Sequence, residues 1–216
     1  MYVWFYNTIH CHYYNLLMKW CFLPFGGERR VREELLRAVA FAENDNVLDM
    51  CCGSGNTTFA IARRVNPTVC ITGIDLSHGQ IKTANKNNTY ANINFQVMDA
   101  RETTFLDATF HKVIIPHALH EMERKLRLEV LREALRVLKS GGAVMVLEMD
   151  RPPRFTTRLL IGFMWFYWLP FNFETPTRRD MLRHGLPGEL RLAGFTGVKK
   201  SNAFDGVFQV VQGIKP

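Results

Sequence analysis

Val47-Leu48-Asp49-Met50-Cys51-Cys52-Gly53-Ser54-Gly55-Asn56 reads as a buried strand that runs straight into a turn. Val47 to Met50 is apolar apart from Asp49. The turn from Cys51 to Gly55 holds only small residues, and Thr57 to Val65 follows as a helix with Phe59, Ile61 and Ala62 on its apolar face. A strand that turns through small residues into a helix brings backbone N–H groups close to a ligand. In an open parallel sheet such a turn opens at the carboxyl ends of the strands, where ligands bind. Asp49 is expected at the strand end, facing that crevice.

The acid separates two kinds of ligand. A dinucleotide fold wants a third glycine and a pyrophosphate on the helix N-terminus, but Asn56, Thr57 and Thr58 follow Gly55. A carboxylate beside the turn would repel phosphate and welcome an ammonium group. S-adenosylmethionine carries an amino group and no phosphate, so it suits this loop better than a nicotinamide dinucleotide does.

Further strands extend the pattern. Thr68 to Asp75 ends in Gly73-Ile74-Asp75-Leu76-Ser77, with Ser77 as the N-cap of a helix through Ala84. Ile93 to Met98 ends in Asp99-Ala100, and Phe110 to Pro116 ends in Pro116-His117. A helix from Glu123 to Lys139, stopped by Ser140-Gly141-Gly142, leads to a fifth strand over Ala143 to Met149. Strands alternating with helices predict a parallel, doubly wound α/β sheet. Asp49, Asp75, Asp99 and Pro116 then share one rim. Asp75 lies 21 residues past Ser54, where a carboxylate can accept ribose hydroxyls, and Asp99 with Ala100 can meet an adenine ring.

Composition narrows the classes. The 216 residues suffice for one domain with a sizeable core, and the five cysteines include no C-x-x-C pair, which argues for a reduced, cytoplasmic protein. The net charge is +7, and nine Lys or Arg against three acids lie between Arg151 and Lys200. Nucleic acid is disfavoured, because those charges flank an apolar run and no base-stacking motif accompanies them. The start, Met1 to Phe25, is apolar and aromatic but too interrupted for a signal peptide or a membrane span. It reads as helices ending at Phe22 to Gly27, followed by an amphipathic helix over Glu28 to Phe41 that buries Val31, Leu35, Leu36 and Val39.

With these motifs in order, the chain resembles the class I S-adenosylmethionine-dependent methyltransferases, and within them the ubiquinone/menaquinone C-methyltransferases. The resemblance rests on residues 47–55, 73–77, 98–100, 131–142 and 146–152, on Ala193-Gly194-Phe195, and on a closing hairpin over 205–213. It implies a Rossmann-like, seven-stranded, mostly parallel sheet with helices on both faces and an antiparallel C-terminal strand. The paired strands Gly197 to Ala203 and Val207 to Ile214 fit that. It implies S-adenosyl-L-methionine as cofactor, with Ser54, Asp75, Asp99 and Ala100 at the matching positions and Cys51 lining the ligand; Asp49, Gly53, Gly55, Leu76 and Pro116, from the strand ends and the turn, complete the expected cofactor-binding set. It divides a single domain into a helical cap over 1–42, a cofactor-binding core over 43–150, a substrate-covering segment over 151–192 and a hairpin over 193–216. Tyr6-Asn7 and Tyr14-Asn15 are similar to the family's paired aromatic-Asp start, with Asn replacing Asp.

The departures fall on the acceptor side. Ala118-Leu119-His120-Glu121 replaces the family's Gly-Leu-Arg-Asn, and His111 replaces an Asp. His117 and His120 stand just past the fourth strand, and His117 is the candidate catalytic base as well as a pocket-lining residue. A metal held by His117, His120 and Glu121 is disfavoured, so no metal is expected. The run Leu159 to Phe171 is apolar and too short to span a bilayer. A buried lid and an interfacial helix, with membrane contact through 151–179, both stay open. The expected acceptor is a hydrophobic small molecule, a quinone or a lipid. The alternatives are N-methylation of a phospholipid headgroup or other small molecule, and an inactive membrane-associated binding protein.

Overall fold

The computed structural model describes residues 22–166 and 175–216. Five strands come first: β1 (Asn46–Met50), β2 (Cys70–Asp75), β3 (Ile93–Val97), β4 (Phe110–Pro116) and β5 (Leu138–Met149). The hairpin strands β6 (Thr196–Ala203) and β7 (Phe208–Ile214) close the chain. Among the described residues these form one sheet in the order β3-β2-β1-β4-β5-β7-β6. β1 to β5 are parallel, and β7 runs antiparallel to both its neighbours. The winding reverses between β1 and β4, which opens a crevice at their carboxyl ends.

Alternation along the strands explains why both faces are covered. Val47, Ile114, Met145 and Leu147 pack on one side; Leu48, Met50, Val113, Ile115, Val144 and Val146 pack on the other. A sheet buried on both faces needs such continuous apolar runs. The helices are α1 (Glu28–Leu36), α2 (Asn56–Ala62), α3 (His78–Asn87), α4 (Arg124–Val137), α5 (Phe155–Phe166), α6 (Thr175–His184) and α7 (Leu186–Ala193). Ser77 caps α3, its Oγ accepting the Gln80 N–H at 3.3 Å.

Several boundaries shift by a few residues, and two differ most from the sequence reading. The amphipathic helix α1 ends at Leu36 rather than Phe41. α4 ends at Val137, and Ser140-Gly141-Gly142 lies inside β5 instead of in a turn. The C-terminal tail captures this stretch: Gly141 N–H donates to Lys215 O at 3.0 Å, and Lys215 N–H to Gly142 O at 2.9 Å. That partner lies some seventy residues ahead and leaves no local trace. The expected helices before Cys21 and the end of the apolar run, 167–171, lie outside the described residues.

α6 and α7 are tied to α4 by one buried cation. Arg127 donates to Glu189 at 2.6 and 2.8 Å, to Asp180 at 2.8 Å and to the Met122 carbonyl at 2.7 Å. Arg127 and Glu189 are both fully shielded from solvent. His111 lies far from the crevice: it accepts the Asn46 N–H at 2.8 Å and meets Lys139 at 2.9 Å, bridging the amino end of β1 to the start of β5.

Candidate functional site

The turn after β1 is stitched to the end of β2. Cys52 N–H donates to Ile74 O at 2.9 Å, and Gly53 N–H donates to Asp75 Oδ2 at 2.8 Å. The second Asp75 oxygen accepts the Ser77 N–H at 2.9 Å. Burial pushes the Asp75 carboxyl up, and the Ser77 and Gly53 N–H groups partly offset this. Gly55 adopts φ 83°, and a Cβ there would come within 2.7 Å of the Phe95 ring. Gly73 has ordinary φ, but a Cβ would lie 2.6 Å from Phe95 and 3.1 Å from Cys52 Sγ. Glycine is needed at both places for close approach. Cys51 holds a left-handed φ of 64°, at a cost of about 1–2 kcal/mol for a side chain with a Cβ. Burial, then the carboxylates of Asp75, Glu121, Asp49 and Asp99, push its thiol up, so it stays protonated.

Asp49 is more deeply placed than expected. It is fully buried, and Oδ2 accepts the Thr58 hydroxyl at 2.6 Å from the first turn of α2. Among the described residues Oδ1 has no hydrogen-bond partner. Burial raises its pKa to about 7, against the opposing effects of Thr58 and Arg32. An orphaned buried carboxylate oxygen is what the amino group of an S-adenosyl ligand would satisfy, so the residues present fit that group.

Because Asp49 holds its proton to about pH 7 when folded and releases it at 3.8 when unfolded, the native state binds more protons between those values. Raising the pH across that window therefore disfavours folding, by up to ~1.4 kcal/mol per pH unit for this group. His117, with a pKa near 3 when folded against 6.5 ordinarily, acts in the opposite direction over much of the same range. The contribution of Asp49 is thus expected in the difference between the wild-type chain and Asp49→Asn. Denaturant melts from pH 4 to 8 should show wild type losing stability relative to the variant up to about pH 7, then no further change. A constant difference would contradict the raised value.

The other rim positions are heterogeneous. Ser54 and Ala100 are buried, whereas the Leu76 side chain is 56% exposed beside Asp75. Asp99 accepts the Arg101 N–H at 2.9 Å and its guanidinium at 2.6 Å, and these bonds hold its carboxyl below the usual range. Pro116, at the end of β4, pairs in register with Leu147 of β5.

Beyond Pro116 the rim becomes aromatic. His117 has φ 49°, and its N–H donates to Leu147 O at 2.7 Å. Its ring lies 5.6 Å from Phe22 and 5.7 Å from Phe208, centroid to centroid. Phe25 and Phe204 extend this shell against Phe208, at 5.2 and 5.8 Å. Among the described residues both ring nitrogens of His117 lack a hydrogen-bond partner, and burial lowers its pKa to about 3, so the imidazole is neutral and a weak base. His120 differs: Nδ1 lies 2.9 and 3.1 Å from the oxygens of fully buried Glu148. Burial opposes ionisation of Glu148, but His120 outweighs it and the carboxyl is held down. Among the described residues no three metal-ligating side chains converge.

Sequence reasoning missed Phe22, Phe208, Glu148 and Arg32. Glu148 sits in Val-Leu-Glu-Met, where a carboxylate within an apolar strand was the available signal. The other three left none, because their contacts span many residues.

Residues 47–142 match the methyltransferase domain. An uncharacterized methyltransferase of Synechocystis is 29% identical over 204 residues, covering 92% of this chain and 89% of that protein. A ubiquinone/menaquinone biosynthesis C-methyltransferase of Geobacter sulfurreducens is 32% identical over 151 residues, covering 68% of this chain and 57% of that protein. An S-adenosylmethionine-dependent methyltransferase structure from Thermotoga maritima superposes with a TM-score of 0.69 at 18% identity, covering 96% of this chain and 99% of that one.

Proposed function

This chain is a class I S-adenosylmethionine-dependent methyltransferase, and we propose that its acceptor is a hydrophobic ring bearing a hydroxyl group, of the quinol type. The observation that carries this reading is the imidazole of His117, buried, neutral, without a hydrogen-bond partner and framed by Phe22 and Phe208. A buried polar group left unpaired costs about 1–3 kcal/mol. A ring hydroxyl would remove that cost at one of the two nitrogens, and the phenyl shell suits the flat apolar body behind it. Relatives named for ubiquinone, menaquinone and demethylmenaquinone chemistry support the same acceptor class.

In this reading Asp49 is the counter-ion for the donor's ammonium group. The turn from Cys51 through Gly53, Ser54 and Gly55 gives close backbone approach, and Asp75 takes the ribose hydroxyls. Leu76 and Pro116 border the nucleoside, and Asp99 and Ala100 meet the adenine edge. When bound, the donor supplies an electrophilic methyl group on a sulfonium. The chain contributes alignment and exclusion of water. With a pKa near 3, His117 is suited to orient the acceptor hydroxyl rather than to hold its proton.

The acceptor is best delivered from a lipid surface. Phe155 and Leu159 are 70% and 58% exposed and lie four residues apart on α5, with exposed Arg151, Arg154 and Arg158 beside them. Apolar side chains ringed by arginine suit an anionic bilayer surface. The helix begins next to the aromatic shell, since Pro153 packs against Gly206 in the turn between Phe204 and Phe208. Among the described residues no helix is long and apolar enough to cross a membrane.

The test is transfer of labelled methyl from S-adenosylmethionine to a short-chain prenylated quinol presented in anionic or zwitterionic vesicles. Label should enter the quinol, faster on anionic vesicles. His117→Phe should bind S-adenosylhomocysteine normally, fold at least as stably, and lose about tenfold or more in turnover, the value of one buried hydrogen bond. Label entering ethanolamine headgroups instead, or an unimpaired His117→Phe, would reject the assignment.

A further inference from the structure

We propose that Arg32 receives the carboxylate at the amino-acid end of the methyl donor while Asp49 receives its ammonium group, so that the two side chains together recognise a zwitterion. This deepens the S-adenosyl reading above, rests on it, and recruits a residue of α1 that lies outside the matched domain, 47–142.

The geometry joins the two charges through one turn of helix. Arg32 donates from Nη1 to the Thr57 hydroxyl, and from Nε and Nη2 to Glu28 Oε1 at 2.9 and 2.7 Å. The same Glu28 oxygen accepts from Asn56 Nδ2 at 2.9 Å. Thr58, the next residue, donates to Asp49 at 2.6 Å. The cation and the buried carboxylate are therefore braced on consecutive residues directly after the glycine turn. The guanidinium also lies 6.0 Å from the centroid of the Phe22 ring, which packs against His117 at 5.6 Å. Arg32 thus occupies the corner between the turn and the aromatic shell.

Two observations make that corner incomplete. Asp49 Oδ1 is buried without a partner among the described residues. Arg32 presents five N–H donors, of which the bonds to Thr57 and Glu28 use three. A donor ammonium at Asp49 carries its carboxylate with it. Beside Asp49 and Glu28 that carboxylate would meet like charge unless a cation faced it, and a planar guanidinium fork suits a carboxylate. Recognition of the tail would separate S-adenosyl amino acids from other adenine nucleosides.

The experiment compares S-adenosylhomocysteine with 5′-methylthioadenosine, which keeps the nucleoside and thioether but lacks the amino-acid end. Calorimetry is run on wild type, Arg32→Gln and Arg32→Lys. Arg32→Gln should weaken S-adenosylhomocysteine about 10- to 100-fold, the range for a hydrogen bond to a charged group. Its affinity for methylthioadenosine should stay within about twofold, as expected where no contact is lost, and Arg32→Lys should recover part of the loss. Equal losses on both ligands would assign Arg32 to bracing α1 against α2 and overturn the proposal, as would no loss on either. Wild type binding neither ligand would instead reject the S-adenosyl reading itself.

Discussion

Asp75→Ala is expected to weaken S-adenosylhomocysteine binding by more than about 100-fold, measured by calorimetry on folded protein. Two bonds from ribose hydroxyls to a carboxylate are worth about 1.5–3 kcal/mol each, and each 1.4 kcal/mol is tenfold in affinity. The effect has a second source within the chain. Asp75 accepts Gly53 N–H at 2.8 Å and Ser77 N–H at 2.9 Å, so its removal also frees the turn and the start of α3. Asp75→Asn separates the two. Its remaining carbonyl oxygen can keep one backbone bond, but its amide cannot accept from the other N–H or from a second ribose hydroxyl. Affinity should fall for both variants, further for Ala, while the thermal midpoint should fall mainly for Ala. Unchanged affinity in Asp75→Ala would remove the ribose role.

Arg127→Met should destabilise the fold by about 3–5 kcal/mol in urea melts, the usual cost of stranding one member of a buried ion pair. Glu189 would be left buried with only the Arg124 guanidinium, 3.7 Å away, and Asp180 would lose its 2.8 Å bond. The double variant Arg127→Met with Glu189→Met should recover most of that loss, because an apolar pair of similar volume is often no worse than a buried ion pair. The recovery tells a stranded charge from simple loss of packing, which a second truncation would deepen. The cluster joins α4 to α6 and α7. Arg127→Met should therefore also speed proteolysis near His184 and Gly185, where those two helices meet. A double variant as unstable as the single one would contradict the stranded-charge account.

Much of the fold was legible because its signals are local. β1, the small-residue turn and α2 followed from one unbroken stretch, Val47 to Val65. The β2 and β3 boundaries came within a few residues because apolar runs end at Asp75 and near Asp99. Local reading failed where a distant partner takes over. Ser140-Gly141-Gly142 has the chemistry of a helix stop, yet pairing with Lys215 draws it into a strand. Asp49 stood where expected along the chain, but its depth and its bond to Thr58 depend on how α2 folds back on β1.

The sequence by itself determined the strand-turn-helix unit and the acids at successive strand ends, since side-chain period and turn chemistry act over a few residues; the antiparallel close followed from the family resemblance. Tertiary structure alone decided which groups are left wanting a partner. Phe22 and Phe208 enclose His117 from 95 and 91 residues away, and Arg32 reaches Thr57 across 25. Burial then sets the charge of His117 and Asp49, because desolvation depends on everything packed around a side chain and not on its neighbours in the chain.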